Sequence, residues 1–143
     1  FSLKNNTLFS EEFDDLYSSA KGAVAECNHV FIKGNNLNER FENLGENSKF
    51  YIGEIGFGIG INFLTTCKSW LDHTKQNQVL EFYSFDKYLF RLSDFKTLNV
   101  SCPDLKEYIS ELERNYPRNI QGAQKISKKA QTHFCIVSLR LFL

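Results

Sequence analysis

The stretch Phe50-Tyr51-Ile52-Gly53-Glu54-Ile55-Gly56-Phe57-Gly58-Ile59-Gly60-Ile61-Asn62-Phe63-Leu64 decides how this chain is read. Its first residues form a short apolar run that ends in glycines, the pattern of a buried parallel strand. From Gly60 the spacing changes: Gly60, Leu64, Cys67 and Leu71 recur at helical intervals, with Ile61 and Phe63 widening the face, which predicts a helix to about Leu71. A glycine-rich loop therefore joins a strand directly to a helix. Glycines suit such a loop because the turn needs backbone angles that a Cβ opposes. They also let a ligand lie against bare backbone beside the amides of a helix N-terminus.

The same alternation continues downstream. Asp72 to Gln78 is a polar break, and Val79 to Phe85 reads as a second strand. A helix is expected between Ser93 and Leu98. Pro103-Asp104 opens another, since proline suits the first turn and a carboxylate the positive end of the helix dipole. Leu105, Tyr108, Ile109, Leu112 and Tyr116 make its apolar stripe, Pro117 ends it, and Lys106, Glu107, Glu111 and Arg114 mark a solvated face. His133 to Leu143 is apolar and strand-like. Alternating strands and helices predict an α/β fold with a parallel sheet, occupying residues 49–143.

Residues 1–48 differ in texture and are read as an N-terminal accessory segment. Phe9, Phe13 and Tyr17 punctuate an acidic stretch, and Val30-Phe31-Ile32 stops at the turn signal Lys33-Gly34-Asn35-Asn36, so one or two short strands are expected here.

Composition sets limits on function. The chain has 143 residues, 42% hydrophobic and 24% charged, enough apolar content for one domain with a core. Fourteen of the residues are Phe and none is Met, so Phe1 reads as a processed, trimmed or fragmentary start. Seventeen basic residues balance seventeen acidic ones, which removes the argument for nucleic acid from overall charge. Lys125, Lys128 and Lys129, with Arg114 and Arg118, form a small basic cluster that reads as solvated surface. No run approaches a membrane span and the start lacks a signal-peptide pattern, so a cytoplasmic protein without membrane contact is expected. Cys27, Cys67, Cys102 and Cys135 are too dispersed for a zinc site and are expected to be reduced, mostly buried thiols, with no metal.

The glycine spacing separates cofactor classes. A dinucleotide loop is G-x-G-x-x-G, and here the third position falls on Ile61 counted from Gly56 or on Phe63 counted from Gly58. An NAD-dependent oxidoreductase is thus disfavoured. The pattern acidic-x-Gly-x-Gly-x-Gly, beginning at Glu54, resembles the first motif of class I S-adenosylmethionine-dependent methyltransferases. In that reading a second acid closes the next strand and accepts hydrogen bonds from the ribose hydroxyls. Asp86, after Tyr83-Ser84-Phe85, is in that position.

A longer resemblance is carried by Phe13-Asp14-Asp15-Leu16-Tyr17-Ser18, Glu26, His29-Val30-Phe31-Ile32, Gly34-Asn35-Asn36-Leu37 with Arg40-Phe41, and the block Gly53 to Leu64. Ser84-Phe85-Asp86-Lys87-Tyr88, Cys102-Pro103-Asp104-Leu105 and Tyr116-Pro117 with Gly122 follow in order. From about Phe9 to about Ile126 the chain resembles the bacterial tRNA 5-methylaminomethyl-2-thiouridine methyltransferase family. The Asn62-Phe63-Leu64 continuation of the glycine motif is its most specific part.

The resemblance implies a partial Rossmann-like class I S-adenosylmethionine-dependent methyltransferase sheet behind the accessory segment. It implies transfer of a methyl group from S-adenosylmethionine to the primary amine of 5-aminomethyl-2-thiouridine at a tRNA wobble position. Glu54, Gly56, Phe57, Gly58, Gly60 and Asn62 would line the cofactor and Asp86 would hold its ribose. Tyr17 and Asn35 match positions near the cofactor or the base. The family more often has Thr where this chain has Ile59 and Glu where it has Asp86. In many relatives an FAD-dependent oxidoreductase domain follows, and nothing of it is visible here. Nor are the later Gly-Asp, Asp-Gly-Phe-Ala-Pro and Asn-Pro segments of the family present. The expectation is an N-terminal fragment with no catalytic residue of its own, inactive alone and poorly folded or prone to aggregate. The alternative is a non-catalytic or degenerate module that keeps only a cofactor-binding loop. Oligomeric state is left open.

Overall fold

The structure is a computed structural model that describes residues 2–4, 7–10, 14–16, 22–75, 77–86, 91–116, 123–130 and 133–141, with side chains for Phe9, Asp14, 22–75, 77–86 and 91–116. A small antiparallel sheet comes first: β1 (Ser2–Lys4), β2 (Thr7–Ser10) and β3 (Asp15–Leu16), with Phe9 paired to Ser2 on one side and to Leu16 on the other.

Helix α1 (Ala23–Cys27) then continues into a wider π-helical stretch over Asn28–Lys33. Its end is marked by the Gly34 N–H donating to the His29 carbonyl at 3.2 Å. The expected strand at Val30-Phe31-Ile32 is therefore helical. Three adjacent apolar residues match a strand by eye, but only Ile32 is fully buried while Val30 stands 62% exposed. Cys27 and Phe31, four residues apart, turn inward with Ile32, so the segment presents a helical face. Helix α2 (Leu37–Glu42) follows.

The main sheet begins with β4 (Lys49–Ile55), followed by α3 (Ile61–His73) and β5 (Val79–Asp86). Next come α4 (Asp94–Ser101), a 3₁₀ turn at Pro103–Leu105 and α5 (Lys106–Asn115). Strands β6 (Ala123–Ala130) and β7 (His133–Leu141) complete it. The strand order is β4-β5-β7-β6, with β4, β5 and β7 parallel and β6 antiparallel to β7. This is the expected α/β arrangement with one addition. Strand β6 was not foreseen because Ala123–Ala130 is polar and carries the lysine cluster; the side chains of that cluster lie outside the described residues, apart from Arg114.

Along β4 and β5 the buried partners are Phe50 beside Leu80 and Ile52 beside Phe82. Helix α3 lies between this face and the accessory helices. Ile61, Phe63, Leu64, Thr65, Thr66, Cys67, Ser69 and Trp70 are all buried, a wider band than one apolar stripe gives, because α1, α2 and α5 also pack on it. At the junction, Phe41 of α2 meets Phe50 of β4 and Trp70 of α3 edge-on, with both centroid distances 5.0 Å. Buried Gln78 ties the two regions by backbone contacts. Its amide donates to the Leu44 and Gly45 carbonyls at 2.7 and 2.9 Å, and its oxygen accepts from Lys75 N–H at 2.9 Å.

The stripe expected on α5 is borne out, since Leu105, Ile109, Leu112 and Tyr116 are buried. The opposite face of the main sheet is open among the described residues. Tyr51 is 60% and Ile55 91% exposed, and Tyr83 beside them donates its hydroxyl to Glu81 at 2.6 Å, which also pairs with Lys49 at 2.7 Å.

Candidate functional site

The inward face of β4 and β5 changes character toward its carboxyl end. Below it are the apolar pairs Phe50–Leu80 and Ile52–Phe82; the next pair is Glu54–Ser84, and beyond it come Gly56 and Asp86. Alternation along each strand puts Ser84 and Asp86 on the face that carries Glu54. Two carboxylates are thereby delivered to the strand ends where the glycine loop leaves the sheet, the usual place for a ligand in a parallel sheet.

The loop is held by backbone bonds. Gly56 N–H donates to the Phe85 carbonyl at 2.6 Å, Gly60 N–H to the Phe57 carbonyl at 2.8 Å, and Leu64 N–H to the Gly60 carbonyl at 2.9 Å, the first turn of α3. Gly56, Gly58 and Gly60 all have positive φ, at 91°, 54° and 79°. That conformation is the reason for alternate glycines. A Cβ on Gly56 would meet nothing within 4 Å, so its outer side is open for a ligand to approach. A Cβ on Gly60 would lie 2.8 Å from Cζ of Phe57. Gly60 thus serves the packing of the loop and Gly56 the space above it.

The acids are engaged differently. Asp86 Oδ2 accepts from Gly58 N–H at 2.7 Å, which joins the end of β5 to the middle of the loop. Glu54 receives Ser84 Oγ at 2.8 Å on one oxygen and Asn62 Nδ2 at 3.2 Å on the other. Burial pushes the Glu54 carboxyl up to about 7; the hydrogen bonds from Ser84 and Asn62 oppose that rise, and the nearby Asp86 charge adds to it.

A cavity of about 280 Å³ opens beside the loop, lined by Gly56, Phe57, Ile61 and Asn62 on one side and by Ala23, Glu26, Cys27, Val30 and Phe31 on the other. The π-helical stretch of the accessory segment therefore forms one wall. The Cys27 thiol in that wall is raised to about 11, chiefly by burial, with Thr65 hydrogen bonding against the rise and the Glu54 charge adding to it. It is a protonated, buried thiol; burial raises Cys102 to about 11 as well, with the Asp104 charge adding to it. Cys67 is buried in the core, and the side chain of Cys135 lies outside the described residues.

The structure thus brings together Glu54, Gly56, Phe57, Gly58, Gly60, Asn62 and Asp86. Asn35 sits in the turn before α2, where its amide donates to the Phe31 carbonyl at 2.8 Å, and it is not among the cavity-lining residues. Tyr17 lies outside the described residues. Ile59, at the position where the resembled family more often has Thr, is 1% exposed and belongs to the core. Sequence reasoning missed Ser84, whose signal was its place two residues before Asp86. It also missed Cys27 and Phe31, hidden in a segment read as strand.

The donor set suits a ligand with hydroxyls at one end and a cation at the other. Asp86 can accept from vicinal hydroxyls, Glu54 can face a positive group, and the bare Gly56 backbone admits a flat body between them. S-adenosylmethionine has these parts, and the residues present fit it.

No family model matches the chain. Curated relatives do. It is 40% identical over 113 residues to the tRNA 5-methylaminomethyl-2-thiouridine biosynthesis bifunctional protein MnmC of Hydrogenovibrio crunogenus, a match covering 79% of this chain and 17% of that protein. It is 39% identical over 120 residues to the protein of the same name from Marinobacter nauticus, covering 82% and 19%. The chain spans under a fifth of the length of these relatives. Among solved structures, that of MNMC2 from Aquifex aeolicus superposes with a TM-score of 0.64 at 18% identity, covering 93% of this chain and 38% of the other. At that identity the match speaks for the α/β fold alone.

Proposed function

From a chain that belongs to the family of tRNA 5-methylaminomethyl-2-thiouridine biosynthesis bifunctional proteins, we propose that the glycine loop is an S-adenosylmethionine site in the first part of a Rossmann-like class I methyltransferase. One observation carries the reading: two acids on one sheet face, Glu54 and Asp86, bracket three glycines with positive φ at the strand ends. Asp86 would accept from the ribose hydroxyls, Gly56 and Gly58 would admit the ligand against the backbone, and Glu54 would face the amino-acid end. Phe57 and Asn62 would shape the floor of the cavity. The cofactor, when bound, supplies an electrophilic methyl group on a sulfonium.

The acceptor is the primary amine of 5-aminomethyl-2-thiouridine in tRNA, and the setting is the cytoplasm. An amine attacks once neutral, so the complete protein has to align it and keep it unprotonated. No residue of this chain is assigned that task, and methyl transfer is assigned to the longer proteins of the family, where an FAD-dependent domain prepares the amine. The second reading is a non-catalytic or degenerate module that retains only the cofactor loop. Among the described residues no helix is long and apolar enough to cross a membrane. Calorimetric titration with S-adenosylhomocysteine, with NAD as the control ligand, tests the cofactor class. Binding of the first and not the second is expected; preference for NAD would overturn it.

A further inference from the structure

The polar pair Glu54–Ser84 sits at the point where the sheet passes from core to site. Ser84 is fully buried, and it is the register partner of Glu54 on the neighbouring strand. Its hydroxyl donates to Glu54 Oε1 at 2.8 Å while Asn62, from the first turn of α3, donates to Oε2 at 3.2 Å. A buried hydroxyl on the strand face it shares with the core residue Phe82 is costly unless it is bonded, and here its partner is a carboxylate. The two donors come from β5 and α3, so together they hold Glu54 from both sides of the glycine loop.

We propose that Ser84 is a positioning residue of the cofactor site, fixing the Glu54 carboxylate in its ionised form and orientation so that it can receive the cationic amino-acid end of the ligand. This deepens the cofactor reading and rests on it. The other ionisable groups around Glu54 are Asp86 on β5 and Cys27 on α1, with Glu26 of α1 in the same cavity wall. Among the described residues the charge that acts on it is that of Asp86, which is not a cation; Cys27 instead feels the charge of Glu54. The carboxylate is therefore stabilised by neutral donors, and Ser84 is the buried one of the two. Without it, burial and the Asp86 charge act on Glu54 with only Asn62 in opposition.

The test reads Glu54 itself and not only binding. In the full chain, the carboxyl carbon of Glu54 is followed by NMR across pH in wild type, Ser84→Ala and Asn62→Ala, alongside calorimetry with S-adenosylhomocysteine. A hydrogen bond to a charged group corresponds to about one pH unit, so Ser84→Ala should move the Glu54 midpoint upward by about that much. With the Glu54 midpoint moved from about 7 to about 8, affinity at pH 7 should fall about fivefold and return toward wild type at about pH 9. Asn62→Ala, at a partly exposed position, should do the same more weakly and keeps the test open if Ser84→Ala does not fold. An unchanged midpoint in the folded variant overturns the proposal, as does an affinity loss that pH does not restore. If wild type binds no S-adenosylhomocysteine, the cofactor reading fails, while the midpoint still decides whether Ser84 holds Glu54.

Discussion

Gly60 and Gly56 share a positive φ, and the structure predicts different consequences for replacing them by alanine. At Gly60, φ is 79° and the new Cβ would stand 2.8 Å from Cζ and 3.1 Å from Cε1 of Phe57. That ring cannot swing away freely. It is buried and lies against Phe63 at 6.3 Å and Tyr116 at 6.4 Å between centroids. A left-handed conformation costs a non-glycine residue about 1–2 kcal/mol, and overpacking a filled core adds about 1–3 kcal/mol. Gly60→Ala should therefore destabilise the chain by roughly 2–5 kcal/mol, read as a lower midpoint in urea at unchanged slope. At Gly56, φ is 91° and nothing lies within 4 Å of the added carbon. Only the backbone strain of about 1–2 kcal/mol remains for Gly56→Ala, but the methyl group occupies space that the cofactor needs. Its stability should stay above that of Gly60→Ala while its affinity for S-adenosylhomocysteine falls further than its stability does. Equal stability losses in the two variants, or a Gly56→Ala that binds normally, would refute the division of labour between the two glycines.

Glu54 makes stability depend on pH. It takes its proton near pH 7 in the folded chain and near the ordinary 4.5 when unfolded, so the folded form binds more protons between those values. Its contribution is most favourable below about pH 4.5, declines through that window and is lowest above about 7, a span of about 3 kcal/mol at most. Glu54→Gln should flatten that segment of the profile in melts followed between pH 5 and 8; an unchanged slope would contradict it. The open face around Tyr51 and Ile55, on the edge strand β4, should drive self-association of the isolated chain. Tyr51→Lys should weaken that association about tenfold in sedimentation velocity, equivalent to ~1.4 kcal/mol; an unaltered distribution would place the contact elsewhere.

The part of the fold that was legible in sequence is the part where one physical signal dominates. Alternating glycines between an apolar run and a helical period specify strand, loop and helix together, and they led directly to Glu54 and Asp86. The stripe from Leu105 to Tyr116 was readable because one side of α5 is buried and the other exposed. Val30-Phe31-Ile32 was misread because a run of three apolar residues has no visible period, and its helical face depends on Cys27, upstream of the run. Strand β6 escaped because its pairing with β7 is a backbone matter that its lysines do not advertise. Ser84 offered only its place two residues before Asp86 as a signal, because its meaning lies in register: the pairing of Glu54 with Ser84 across two strands puts the hydroxyl on the acid. The cavity wall from α1 is tertiary in the same way, with Cys27 and Phe31 brought opposite Gly56 by the packing of α1 on α3.

The central claim is that Gly56-Phe57-Gly58-Ile59-Gly60, with Glu54 and Asp86, forms a cofactor site for S-adenosylmethionine. Its most direct test is calorimetric titration of S-adenosylmethionine into the monomeric fraction of the wild-type chain and of Gly58→Val. Gly58 combines a φ of 54° with the N–H that Asp86 holds at 2.7 Å, so a branched side chain there strains the loop and crowds the ligand. The account predicts saturable binding by the wild type and its loss in a folded Gly58→Val. Equal binding by both chains, or none by a folded wild type, would contradict it.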